Sequence, residues 1–147
     1  MKKKSKGQIF LERVEMIDVL VENKLIERKQ WRELAMNITA NMGGERVQSS
    51  RATTSKMEDC VVKCLMVEDE IAVEVDRLIE EKQKAVQTIE RLHSPMEYRV
   101  LHMRYIRYMD FEGIADDLKK DYSWVTTTHG RAVKHVMEIL SKEKDDG

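Results

Sequence analysis

Toward the C-terminal end of the chain, Ser123, Trp124, Thr126, Thr127, His129, Gly130, Arg131 and Lys134 crowd into a short stretch. Their side chains can donate to phosphates, accept from base edges or touch a thymine methyl, and a glycine lets a backbone come close to its ligand. That is the chemistry of duplex DNA recognition, provided that one face of one helix carries the set. A solvated charged face is the plain alternative. Trp124 suits packing on its own domain as well as a base contact, and His129 suits bracing as well as a phosphate contact.

Other chemistries find less support. Cys60 and Cys64 stand one helical turn apart, and the four histidines at 93, 102, 129 and 135 include no pair with metal-ligand spacing. No metal or other cofactor is expected, and two cysteines so placed behave as small apolar residues in a reducing compartment. There is no glycine-rich phosphate loop and no nucleophile with a matching base, so the chain does not read as an enzyme. Its 26 Lys and Arg against 27 Asp and Glu leave a formal charge of −1, which excludes binding to any polyanion by bulk attraction. Nucleic-acid binding must therefore be local. No stretch approaches 18 apolar residues and no signal-peptide run follows the N-terminal lysines, so a cytoplasmic protein with no membrane contact is expected.

The elements that must position the set are helical. Charged residues make up 36% of the 147, aromatic residues 5%, and there is one proline. From Gln8 to about Thr39, apolar residues recur at Phe10, Val14, Ile17, Val21, Trp31, Ala35 and Ile38, with Lys24 and Arg28 breaking the stripe. Asn41 to Thr54, with Gly43-Gly44, reads as a loop. A capping box at Ser55 and Glu58 predicts the start of a second long helix. Along it Met57, Val61, Cys64, Glu68, Ile71, Val75, Leu78, Lys82, Ala85, Ile89 and Leu92 alternate steps of four and three. Five heptads make a rod of roughly 50 Å. Its partner is either the first helix folded back as an antiparallel hairpin or the same 55–92 helix of a second copy, as a homodimer. Ser94, Pro95 and Glu97 then open a separate unit, with a helix from Pro95 to Tyr108, a short one capped by Asp110 and ending at Leu118, and a third capped by Asp121 and running to about Lys142. Residues 1–7 are expected to be a basic disordered tail, 8–92 a hairpin, 94–142 a three-helix unit and 143–147 a frayed charged tail.

A short helix, a three-residue turn and a longer helix are the parts of a helix-turn-helix, with Ala115 as the small residue at the crossing. The run Val100-Leu101-His102-Met103-Arg104-Tyr105, with Ile114-Ala115, Leu118, Val125 and Arg131-Ala132, resembles region four of bacterial sigma factors. Val125 with His129-Gly130-Arg131-Ala132, and Gly44-Glu45-Arg46-Val47-Gln48-Ser49-Ser50, extend the likeness to small sigma-like regulators of phages and prophages in Gram-positive bacteria, related to the ArpU/RinA group. The resemblance implies an all-α fold and a sequence-specific double-stranded DNA-binding transcriptional regulator in a bacterial host cell, a phage late-gene activator that contacts RNA polymerase. Departures are Asp121 in place of a Ser or Thr cap, Lys119-Lys120 in place of a turn glycine, and Gly113 inside the short helix. The competing reading is a non-catalytic helical adaptor in phage assembly or DNA packaging.

Overall fold

The computed structural model describes residues 3–42 and 51–146. Among them 89% are helical and none is in a strand. The order is α1 (Lys6–Met42), α2 (Arg51–Glu90), α3 (Pro95–Leu101) running into a π-helical turn (His102–Ile106), α4 (Phe111–Leu118) and α5 (Tyr122–Asp146). The expected loop motif from Gly44 to Ser50 lies outside the described residues. Two compact units form, Met1–Asp18 with Glu80–Gly147, and Val19–Ile79. The expected boundary near 93 is therefore corrected: the first turns of α1 and the last turns of α2 belong with the C-terminal helices.

In the Val19–Ile79 unit, α1 and α2 pack antiparallel along the heptad positions. Cys64, Glu68, Ile71, Val75 and Leu78 are buried there, opposite Ala35 and the half-buried Val21, Trp31 and Ile38. The polar residues that break each stripe answer one another. Lys24 Nζ is 2.7 Å from the Glu74 carboxylate, and Arg28 and Arg32 approach the buried Glu68 carboxylate at 3.5 and 3.0 Å. The partly exposed Lys24–Glu74 pair adds little stability, while Arg28 and Arg32 supply the charge that lets Glu68 be buried, and together these pairs fix which residues stand level across the seam. Ser55 does not cap α2. The helix already runs from Arg51, so the N–H groups that a capping box would satisfy are engaged in helix bonds.

The other unit has two adjoining cores. Leu11, Ile89, Leu101, Tyr105, Ala132, Val133 and Val136 form one, from α1, α2, α3, the π turn and α5. Val100, Met103, Ile114, Ala115 and Val125 form the other, between α3, the π turn, α4 and α5. Residues 3–7 are not a free tail: Ser5 Oγ accepts from the Gln8 N–H at 3.2 Å, and Gly7 is buried. A Cβ on Gly7 would meet Met137 Cγ at 2.7 Å and the Val133 carbonyl at 2.9 Å, so only glycine fits. Nor do residues 143–146 fray. They continue α5, and Glu143 pairs with Arg91.

Ser94 caps α3 as its sequence predicts, accepting from Glu97 N at 3.3 Å, with Pro95 in the first turn. The helix expected to reach Tyr108 instead widens into the π turn, closed by Arg107 N to His102 O at 3.1 Å. Tyr108 follows in the left-handed region, at φ 58°. Asp110 caps α4 through the Gly113 N–H at 2.7 Å, and a Cβ on Gly113 would stand 2.9 Å from that carboxylate oxygen. The glycine that weakens a helix interior is thus the one that admits this cap.

Candidate nucleic-acid interface

Turn chemistry sets the angle between α4 and α5. Lys119 ends α4 at φ 56° and ψ 46°, the left-handed conformation that a glycine adopts more easily, and Lys120 N closes back on the Ala115 carbonyl at 3.0 Å. A lysine thus holds, at the end of α4, the left-handed geometry that glycine most often supplies at a helix C-terminus. Ile114, Ala115 and Val125 are buried at the crossing, as their spacing predicts.

The eight sequence candidates separate into two groups on α5. Ser123, Thr127, Gly130, Arg131 and Lys134 are exposed. Their spacing of three and four residues puts them on one side of the helix, with no acid and no large apolar residue among them. Neither Arg131 nor Lys134 has an ion-pair partner among the described residues. An added Cβ on Gly130 would meet no atom within 4 Å, so nothing in the packing of the chain requires a glycine there. It weakens the helix by about 1 kcal/mol relative to alanine and leaves the backbone bare.

Thr126, Trp124 and His129 are turned further inward. Thr126 Oγ1 donates to the Ser123 carbonyl at 3.1 Å, within the first turn. Trp124 is half-buried against the α4 core, with Lys120 Nζ 5.2 Å above its ring. His129 is half-buried between two rings, stacked on Tyr105 with centroids 5.7 Å apart and edge-on to Phe111 at 5.0 Å. Burial pushes the Tyr105 phenol up to about 12 and, helped by the charge of Arg104, holds His129 below its ordinary value. Tyr105 therefore keeps its proton, and its hydroxyl shares a hydrogen bond of 2.6 Å with His129 Nε2, the imidazole tautomer deciding which of the two donates. This bracing role accounts for His129 without a ligand.

Several cations escape the sequence reading. Arg99 and Arg107, from α3 and the end of the π turn, line an open cleft of about 500 Å³ with His102, Lys119 and Asp117. None of Arg99, Arg107, Lys119 and Lys120 has an ion-pair partner among the described residues. A scan for unpaired basic residues across the whole unit, not along one helix, is the signal that finds them. Among the described residues no three His, Cys, Asp or Glu side chains gather as a metal site, and no helix is long and apolar enough to cross a membrane. No protein-family model, characterised protein or solved structure matches this chain.

Proposed function

We propose that the protein is a sequence-specific double-stranded DNA-binding transcriptional regulator, with α5 as the reading helix. The observation that carries this is Gly130: a helix-interior glycine that packing does not require, on a face of hydroxyls and two unpaired cations. Such a face lets a backbone approach a base pair while Arg131 and Lys134 reach guanine edges or phosphates. Lys119 and Lys120, cations without an ion-pair partner among the described residues at the turn before α5, are assigned to phosphates in this reading. No catalytic role is assigned to any residue.

The test separates fold from recognition. Duplexes are selected from a random pool by the purified chain, and Gly130→Ala is then compared with the parent. The variant is expected to be about 1 kcal/mol more stable, yet to bind the selected duplex more weakly, because its methyl intrudes on the contact. Equal binding would remove Gly130 from the interface. Changing Arg131 and Lys134 to Ala is expected to weaken binding and lower its log–log salt slope by roughly 1 per lost phosphate contact.

The finer reading rests on the likeness to sigma region four and to phage regulators. The protein works in the bacterial cytoplasm and activates late genes by setting its helix-turn-helix on a promoter while touching RNA polymerase. A second attachment of this kind raises effective affinity where one helix contacts few base pairs. Transcription in vitro from a selected site decides it, since a fall in transcript on adding protein would mean repression. The adaptor reading draws on the apolar residues that α1 and α2 leave uncovered in the Val19–Ile79 unit. It requires that the Arg131 and Lys134 substitutions leave function intact.

A further inference from the structure

Beside the heptad seam of the Val19–Ile79 unit runs a second stripe. On α2 it comprises Val62, Leu65, Asp69, Ala72, Asp76 and Ile79, and on α1 Leu25, Lys29, Arg32 and Met36, at helical spacing in both cases. Met36, Leu65 and Arg32 line one open groove of about 630 Å³ with Ala35 and Val61, so the two stripes meet on the same edge of the helix pair. Leu25, Met36, Val62, Leu65 and Ile79 are between 43% and 64% exposed. Ordinary scatter of surface apolar residues does not repeat in register on two neighbouring helices. The seam itself cannot serve a partner helix, because α1 already fills it.

We infer that this edge is an interface between two copies of the chain, closing two helix pairs into a four-helix layer. The charges within the stripe select the occupant. Its α1 half carries Lys29, whose Nζ is 4.0 Å from Glu33 on the same helix, and Arg32, which pairs with Glu68; its α2 half carries Asp69 and Asp76, and neither of these two acids has an ion-pair partner among the described residues. Arg28 and Arg32 both reach Glu68, so Lys29 and Asp69 stand at one level of the pair. A two-fold axis parallel to the helices lays α1 of each copy on α2 of the other and sets Lys29 opposite Asp69 twice. The face is thus complementary to itself. The stripe is roughly 26 Å long on α2 and roughly 17 Å on α1 and, at about 10 Å across, presents about 430 Å², so the ~800 Å² per partner of a stable interface is reached with the flanking positions of the same two helix edges. The inference is independent of the DNA-binding reading.

The oligomeric state of the full chain tests it, by sedimentation equilibrium in reducing buffer. A dimer at micromolar concentration is expected, and a monomer there overturns the interface. Leu65→Glu with Ile79→Glu is expected to raise the dissociation constant by about a hundredfold with helix content unchanged in circular dichroism. A dimer unaffected by that pair places the contact elsewhere and also overturns it. Since two glutamates can unfold a small unit, a charge exchange provides the second arm. Lys29→Asp and Asp69→Lys alone each weaken the dimer by about tenfold, and together they restore it. Failure of the combination to restore it refutes the self-complementary arrangement. Duplex binding plays no part in these readouts, so a dimer that ignores DNA retains this interface and loses only the reading of α5.

Discussion

Burial keeps Tyr105 protonated and His129 neutral, so a single hydrogen bond of 2.6 Å ties α5 to the π turn. In the unfolded chain His129 titrates near its ordinary value of 6.5, whereas in the fold it titrates lower. Between those values the unfolded state binds a proton that the folded state does not. The contribution of His129 is therefore full above about pH 6.5 and is lost as pH falls through the folded value. His129→Gln keeps a hydrogen-bond acceptor and cannot titrate; it is expected to cost about 1 kcal/mol at neutral pH, and urea denaturation should show that margin shrinking as the solution is acidified. A margin that grows on acidification would contradict the neutral assignment. At the turn, Lys119 bears the strain of the left-handed region. Lys119→Gly is expected to raise stability by about 1 kcal/mol, while Lys119→Ala, which keeps a Cβ, gains nothing; denaturation midpoints of the two variants distinguish this from a charge effect.

The heptad stripe of α2 was legible because a repeated spacing of three and four needs no knowledge of the partner. Every one of its positions from Met57 to Leu92 is buried or half-buried, Glu68 and Lys82 included. What could not be read was which polar residue answers which, since the pairing of Lys82 Nζ with Asp18 at 2.7 Å joins residues that only the fold brings together. The capping sites at Ser94 and Asp110 were legible for the same local reason, whereas Ser55 misled because its pattern also fits a helix interior. The π turn left no sequence signal. Across it Leu101 and Tyr105 face one core while Val100 and Met103 face the other. On the exposed face of α5, hydroxyls and cations were visible as residue types, but the inward turn of His129 depends on Tyr105 and Phe111, which are distant in sequence. Within the seam, Ile71→Ala is expected to cost about 3 kcal/mol. Glu68→Leu, which removes a carboxylate whose two arginine partners can turn to water, should stay within about 1 kcal/mol of the parent. Thermal melts of the two variants test the contrast, and a larger loss for Glu68→Leu would show that the ion pairs hold the helices together.

The unit that presents α5 is assembled from both ends of the chain. Leu11 and Ile89 lie in the same core as Val133 and Val136. A fragment of residues 94–147 would expose that core and is expected to lose cooperative melting, and Leu11→Ala in the full chain should cost about 3 kcal/mol; calorimetry of fragment and variant checks both, and a sharp transition in the fragment would restore the simple C-terminal domain. The Val19–Ile79 unit, by contrast, is continuous in sequence. During synthesis its two helices can pair while the rest is still being made, but Gly7 must wait for Val133 and Met137, and the core around Leu11 and Ile89 is completed only when α5 adds Ala132, Val133 and Val136. Until then the first turns of α1 are covered by α2 alone. A product stopped before α5 would carry the Val19–Ile79 helix pair but would leave Leu11 and Ile89 without Ala132, Val133 and Val136, the α5 side chains that complete their core.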